Sequence, residues 1–148
     1  MSQIIKDVND LVLRTPASRV SGGGWKRLPK LVKEMTAAMK EEKGLGVAAP
    51  QVGVSLRVVV LYDKTVMVNP RIEEYKGHKK LMPEGCLSIP GKTFLVNRYP
   101  EIKVTYQDRH GKAQFDHCVG TDAQLIQHEL DHLEGTLICD IGEPAYNR

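Results

Sequence analysis

Two histidines four residues apart, His128 and His132, stand in the stretch Gln127-His128-Glu129-Leu130-Asp131-His132-Leu133-Glu134-Gly135. On a helix that spacing projects both rings from one face, and neutral imidazoles so arranged suit Zn²⁺, Fe²⁺, Co²⁺ or Ni²⁺. Glu129, beside the first of them, can reach water at such an ion without binding the ion itself, as in other HExxH sites. A catalytic centre of this type takes a third protein ligand and keeps a fourth position open. Only sixteen residues follow His132 to supply one.

Downstream the chain offers little. The protease pattern HExxHxxGxxH is matched through Gly135, but its last place holds Ile138 instead of His. Glu134 points off the metal face of the helix. Glu143 lies in a Gly-Pro tail, and Asp140 sits beside Cys139 in the same short tail. The ligand is therefore expected from upstream, and Cys86 is the best candidate. In Pro83-Glu84-Gly85-Cys86-Leu87-Ser88-Ile89-Pro90 two prolines fence off the segment, and Gly85 lets the backbone approach another element. Cys118 and Cys139 have no such setting and read as small buried hydrophobes. Three cysteines without a secretory leader argue against a disulfide framework.

The elements that must position these residues follow from pattern. Residues 15–27, rich in Pro, Ser and Gly and containing Trp25, read as a loop. A helix is expected over 28–43, with Leu28, Leu31, Val32, Met35, Ala38 and Met39 on one face, Pro29 in its first turn and Gly44 at its close. Strands are expected at 56–62 and at 66–68, the second ended by Asn69-Pro70. Ile102, Val104 and Tyr106 alternate, Asp108–Gly111 turns, and Ala113, Phe115 and His117 alternate back, which is a hairpin. His117 is expected in a hydrogen-bonded structural role, and His78 and His110 in solvent. The last helix is expected from Thr121, with Thr121 and Gln124 as a capping box and Gly135 as its stop. Helices and strands in separate blocks predict an α+β domain.

Gly44-Leu45-Gly46-Val47-Ala48-Ala49-Pro50-Gln51 fits the dinucleotide fingerprint GxGxxA in letters only. A helix precedes it and a strand follows, the reverse of what that fingerprint requires. It reads instead as a loop whose backbone lies against something, with Gln51 as its polar tip.

Composition bounds the rest. A chain of 148 residues predicts one catalytic domain over 1–148. Its net charge of +3, from 21 basic and 18 acidic residues without a basic block, gives no case for nucleic acid. Apolar runs such as Val58–Leu61 are too short to span a bilayer, and the N-terminus lacks a signal-peptide core. No membrane partner is expected, and the expected compartment is the cytoplasm.

Taken in order, GLGVAAPQ (44–51), EGCLS (84–88) and QHELDH (127–132) resemble the three signature motifs of the peptide deformylase family. The similarity extends over the intervening hairpin and the early Leu13-Arg14. It implies that Cys86, His128 and His132 bind the metal and that Glu129 is the catalytic acid/base. It implies that Gln51 and the Leu87 amide bind the formyl oxygen, and that Leu45 and Gly46 contact the bound peptide. The implied fold is α+β, with antiparallel sheets around the HExxH-bearing helix. The implied activity is removal of the N-formyl group from the initiator methionine of new polypeptides by an activated hydroxide. One divalent ion per chain is implied, Fe²⁺ in the cell and Zn²⁺ or Ni²⁺ as purified, with the ribosome surface as a further contact. Two departures stand out. Thr93 occupies a place where many members carry Arg, although Arg98 is present, and the chain stops at Arg148 without their C-terminal helix. It resembles the shortened forms, some of them phage-encoded, which would act in the bacterial host. Leu125, Ile126 and Ile89 are candidates for a methionine pocket.

Two other readings fit the HExxH alone. A zinc peptidase would need a third histidine or an acidic ligand. A non-catalytic metal module would need a closed site, completed for instance by Cys118 or Cys139.

Overall fold

Val58-Val59-Val60-Leu61 is apolar at every position because both faces of its strand are covered. The computed structural model describes residues 3–145, so the ends of the expected 1–148 domain lie outside the described residues. That strand, β2 (Val58–Leu61), belongs to a five-stranded antiparallel sheet with β1 (Gly46–Ala48), β3 (Val66–Lys76), β6 (Glu101–Gln107) and β7 (Ala113–Val119), in the order β1-β2-β3-β6-β7. Helix α2 (Gly24–Glu41) covers one face, packing the expected Leu28, Leu31, Val32, Met35, Ala38 and Met39 against Val58, Val60, Val66 and Val68. Helix α3 (Gly120–Leu133) covers the other, setting Ala123, Ile126, Leu130 and Leu133 against Val59, Leu61, Met67, Ile102 and Val104.

A second antiparallel sheet, in the order β4-β5-β8, is made of β4 (Lys80–Cys86), β5 (Ile89–Arg98) and β8 (Glu143–Ala145). Ile89, Phe94 and Val96 pack there against Leu137 and Ile138 from the start of the short helix α4 (Ile138–Ile141). Helix α1 (Leu11–Arg14) completes the set. The HExxH helix thus has the large sheet on its apolar side and the β4–β5 hairpin on its histidine side, the α+β arrangement expected. No described helix is long and apolar enough to cross a membrane.

Local chemistry shifts several expected boundaries. Helix α2 starts at Gly24, so Trp25 lies in the helix and packs on the core beneath it. Pro29 is then inside the helix, where it has no N–H for the Trp25 carbonyl. The helix ends at Glu41, because Lys43 is left-handed (φ 55°) and the Gly44 N–H closes on the Met39 carbonyl at 2.9 Å. Asn69-Pro70 does not end β3; it makes a bulge inside it, with Asn69 at φ 52°. The Asn69 side chain accepts from the Val20 N–H and donates to the Val20 carbonyl and to Gln107, which holds that unusual backbone in place. Part of the glycine-rich loop is strand β1, followed by a 3₁₀ turn over Ala49–Val52 that carries Gln51. Helix α3 starts at Gly120 after Val119 with no side-chain cap; the Gln124 amide binds the Pro83 carbonyl and Glu84 instead.

Gly135 stops α3 as expected, and the reason is visible. It is left-handed at φ 77°, its N–H bonds the His132 carbonyl (3.2 Å), and the Thr136 N–H bonds the Asp131 carbonyl (2.9 Å). A Cβ there would sit 2.5 Å from the backbone oxygen of Arg14. Gly91 has a similar φ of 75° but meets nothing within 4 Å. Gly91→Ala is therefore expected to cost about 1–2 kcal/mol, and Gly135→Ala about 2–4 kcal/mol. Urea unfolding measures both, and equal midpoints for the two variants would refute the steric part.

Candidate metal centre

Strands β4 and β5 meet in a tight hairpin in which Cys86 pairs with Ile89 and Leu87-Ser88 forms the tip. Pro83 is tolerated because β4 is an edge strand, where a missing N–H costs no ladder bond. A register shift between Glu84 and Cys86 bends the strand, and both side chains reach α3. Cys86 Sγ lies 3.5 Å from His132 Nε2. The ligand atoms of Cys86, His128 and His132 all fall within 4.8 Å of one another, the one such group of His, Cys, Asp or Glu among the described residues. A tetrahedral ion with metal–sulfur bonds of about 2.3 Å and metal–nitrogen bonds of about 2.0 Å spaces sulfur and nitrogen about 3.5 Å apart. The donor set and its spacing fit such an ion.

The histidines are held from behind. His128 Nδ1 lies 2.8 Å from Glu84 Oε1; a carboxylate only accepts, so Nδ1 carries the proton and Nε2 keeps its lone pair for the site. Glu84 is gripped by Arg98, whose Nε donates to Oε2 (2.8 Å) and whose Nη2 donates to Oε1 (2.9 Å). Arg98 Nη1 also donates to Asp131 Oδ2 at 2.6 Å, closing the network onto α3. Burial pushes the Glu84 carboxyl up, but the bonds from Arg98 and His128 outweigh it and hold its pKa down to about 2. Burial, with His128 and Arg98 nearby, pushes the His132 pKa well below 6.5, so its imidazole is neutral. Gln127 clamps the turn between β5 and β6, accepting from the Tyr99 N–H (3.0 Å) and donating to the Tyr99 carbonyl (2.8 Å).

Glu129 is 3% exposed, and its Oε1 has no partner among the described residues. His132 Nδ1 is likewise buried and unpaired. Such atoms cost about 1–3 kcal/mol each, and their clustering marks a working site. Burial, partly offset by His128, raises the Glu129 pKa to about 7. Its carboxylate fits because residue 46 is glycine: a Cβ there would stand 2.8 Å from Glu129 Oε2. Gln51 is 1% exposed and its amide has one orientation. Its Oε1 accepts the Ala48 N–H (3.0 Å), which leaves Nε2 to face Ser88 Oγ (3.2 Å) and Cys86 Sγ (3.8 Å).

A groove of about 530 Å³ opens over this cluster, lined by Leu45, Gly46, Gln51, Leu87, Leu125 and Ile89 among others. Ile126 is absent from it; one residue on from Leu125, it turns into the core under the sheet. Glu134 pairs with Arg57 (2.8 Å) and Asp140 with Arg14, while Cys118 lies on β7 and Cys139 on α4. None of the four joins the cluster. His117 pairs with Glu101 on the neighbouring strand, the structural role expected. Sequence reasoning gave no role to Glu84, Arg98, Asp131 or Ser88. The available signal was a lone Arg98 at the end of the Phe94-Leu95-Val96 run, with Glu84 set between Pro83 and Gly85. Glu84→Gln keeps the shape but removes the charge behind His128. It is expected to weaken metal binding about 10- to 100-fold, read by competition with a chelator of known affinity, with far-UV circular dichroism unchanged.

The model of the polypeptide deformylase family matches residues 1–146. The chain is 46% identical over 140 residues to peptide deformylase 1 of Bacillus cereus, covering 91% of this chain and 88% of that one. It is 38% identical over 155 residues to the chloroplastic/mitochondrial peptide deformylase 1A of Arabidopsis thaliana; the match covers 88% of this chain but only 58% of that protein's length. The crystal structure of a Synechococcus elongatus peptide deformylase in complex with actinonin superposes with a TM-score of 0.90 at 38% identity, covering 99% of this chain and 80% of that one. A family match over nearly the whole sequence and close structural likeness agree: the chain belongs to the peptide deformylase family.

Proposed function

We propose that this chain is a metal-dependent hydrolase that removes the formyl group from the N-terminal formylmethionine of newly made polypeptides. The observation that carries this reading is the meeting of Cys86, His128 and His132 at a peptide-sized groove, with the buried carboxylate of Glu129 beside them. Cys86, His128 and His132 hold one divalent ion. A thiolate with two neutral imidazoles suits Fe²⁺, Zn²⁺ and Ni²⁺, and our reading is Fe²⁺ in the cell. When bound, the ion supplies Lewis acidity that polarises the formyl oxygen and acidifies a water.

The chain's own residues do the rest. The peptide lies along Leu45-Gly46, with the methionine side chain against Leu125 and Ile89. The formyl oxygen accepts from the Leu87 N–H and from Gln51 Nε2. Gln51 can serve in this way because its Oε1 is already engaged by Ala48, so the amide presents only its donor. Glu129 takes the proton of the attacking water as the new C–O bond forms, and returns it to the amine nitrogen as the C–N bond breaks. Formate and a free N-terminal methionine leave. The substrate is met in the cytoplasm, at or near the ribosome surface where nascent chains emerge.

Among the described residues the peptidase alternative finds no third ligand: Glu134 and Asp140 are engaged by arginines elsewhere. The closed-module alternative finds no fourth among the same residues, since Cys118 and Cys139 stand apart.

Glu129→Gln is expected to retain one metal per chain by elemental analysis, yet to lower formate release from a formyl-Met peptide by about 10²–10⁴-fold. Full turnover in that variant would reject the hydrolytic role. Cys86→Ser is expected to lower metal content; unchanged content would favour a peptidase-type ligand set. Because the thiolate is oxidisable, iron-loaded protein is expected to lose activity faster in air than under nitrogen, and equal decay in both would refute that point.

A further inference from the structure

The mouth of the groove carries an unbalanced charge, and we infer that the site selects peptides with acidic residues shortly after the methionine, recognised by Lys43 and Lys92. This rests on the deformylase reading above and names its substrate class more narrowly. The charged residues lining the groove are Glu42, Lys43, Glu84, Lys92 and Glu129, besides the ligands Cys86 and His128. Each of the three acids is already accounted for. Glu84 is saturated by Arg98 and His128. Glu129 is buried at the floor. Glu42 is held by Lys6 at 2.9 Å, a cation outside the groove. Lys43 and Lys92 form no ion pair among the described residues, and both are exposed.

The two lysines come from opposite walls. Lys43 lies in the connection between α2 and β1, in a left-handed turn fixed by its N–H to the Lys40 carbonyl (3.1 Å). Lys92 lies on β5, where its backbone passes opposite Gly85. The lining near the metal ligands also includes the neutral Leu45, Gly85, Leu87 and Pro90. A chain leaving the metal centre along the groove therefore passes two ammonium groups and no free carboxylate. In exposed surroundings such attraction is modest and screened within about 10 Å at 0.1 M salt. It still biases capture of a charged substrate, because like-charged sequences are repelled at the same mouth.

The test is kcat/KM for formate release from formyl-Met-Ala-X-X amides, with X = Asp, Asn or Lys, at low and at 1 M salt. The expected order is Asp above Asn above Lys, with about three- to tenfold between the extremes at low salt, shrinking toward one at 1 M. In the variant Lys43→Gln/Lys92→Gln that ratio is expected to fall to about one. A control with the same charge change on the outer face of α2, Lys30→Gln/Lys33→Gln, is expected to keep it. Equal values for the three peptides at low salt, or an order that survives Lys43→Gln/Lys92→Gln, would overturn the inference while leaving the deformylase reading intact. Formate release from none of the peptides would overturn that reading, and this inference with it.

Discussion

One buried guanidinium joins the parts of the site. Arg98, on β5, grips Glu84 across the hairpin with two bonds and Asp131 on α3 with a third, and Glu84 in turn orients His128. The sulfur and the imidazoles come from elements 42 residues apart in sequence, between Cys86 and His128. Something must fix the distance between hairpin and helix, and packing alone is a loose ruler for a bond-length requirement. Burying the ion pair is costly, since desolvation can exceed the Coulombic gain. What the pair provides is registry: a bidentate contact admits little sliding, so β4, β5 and α3 have one mutual arrangement in which both oxygens of Glu84 accept hydrogen bonds. Asp131 shows the same economy, serving the network from within the HExxH motif.

Missing side chains set the other half of the geometry. A Cβ on Gly46 would meet the Glu129 carboxylate at 2.8 Å, and one on Gly44 would meet Leu87 Cδ1 at 2.7 Å. The first glycine admits the buried acid; the second lets the Leu87 side chain seat against the glycine-rich segment and so fixes the hairpin tip. Strand β1 is thus a wall with no side chain where the chemistry happens. Its short length follows: it pairs with β2 through Gly46, Val47 and Ala48 only, then turns at Pro50 to deliver Gln51. The letters that mimic a dinucleotide fingerprint have a different physical cause, close approach of two protein segments instead of approach to a phosphate.

The sequence exposed those features whose cause is local. The i, i+4 histidines, the apolar face of α2, the β6–β7 hairpin and the Gly135 stop each depend on neighbours within a few residues, and each is found. The β4–β5 hairpin was not anticipated, because prolines and glycine mask strand alternation on an edge strand that needs none of the lost N–H groups. Asn69-Pro70 read as a strand end for a similar reason: the Asn69 amide bonds that convert it into a bulge run to Val20 and Gln107, far away in sequence. The supporting shell was hidden more deeply. Glu84, Arg98 and Ser88 are ordinary polar letters until folding removes their water, and only then must each find a partner. Gln124 shows how tertiary demand overrides a local rule, since its amide serves Pro83 and Glu84 where a capping box was expected.

The position of Glu129 on the same helix as both histidines carries a thermodynamic consequence. Its neighbour His128 anchors the network, so the backbone beneath Glu129 is as fixed as the ligands themselves. Its own carboxylate is buried, with one oxygen unpaired among the described residues. A group so held is costly to the fold and poised for proton transfer, since desolvation brings its affinity for a proton near neutrality. The cost has to be offset elsewhere, and the offset is in view: helices cover both faces of β2 and of the start of β3. The stability of the domain lies in that packing, and the unpaired buried atoms lie where α3 turns its other face to the hairpin. This division explains why one face of the helix is Ala123, Ile126, Leu130 and Leu133, while its opposite face carries the buried charges and imidazoles.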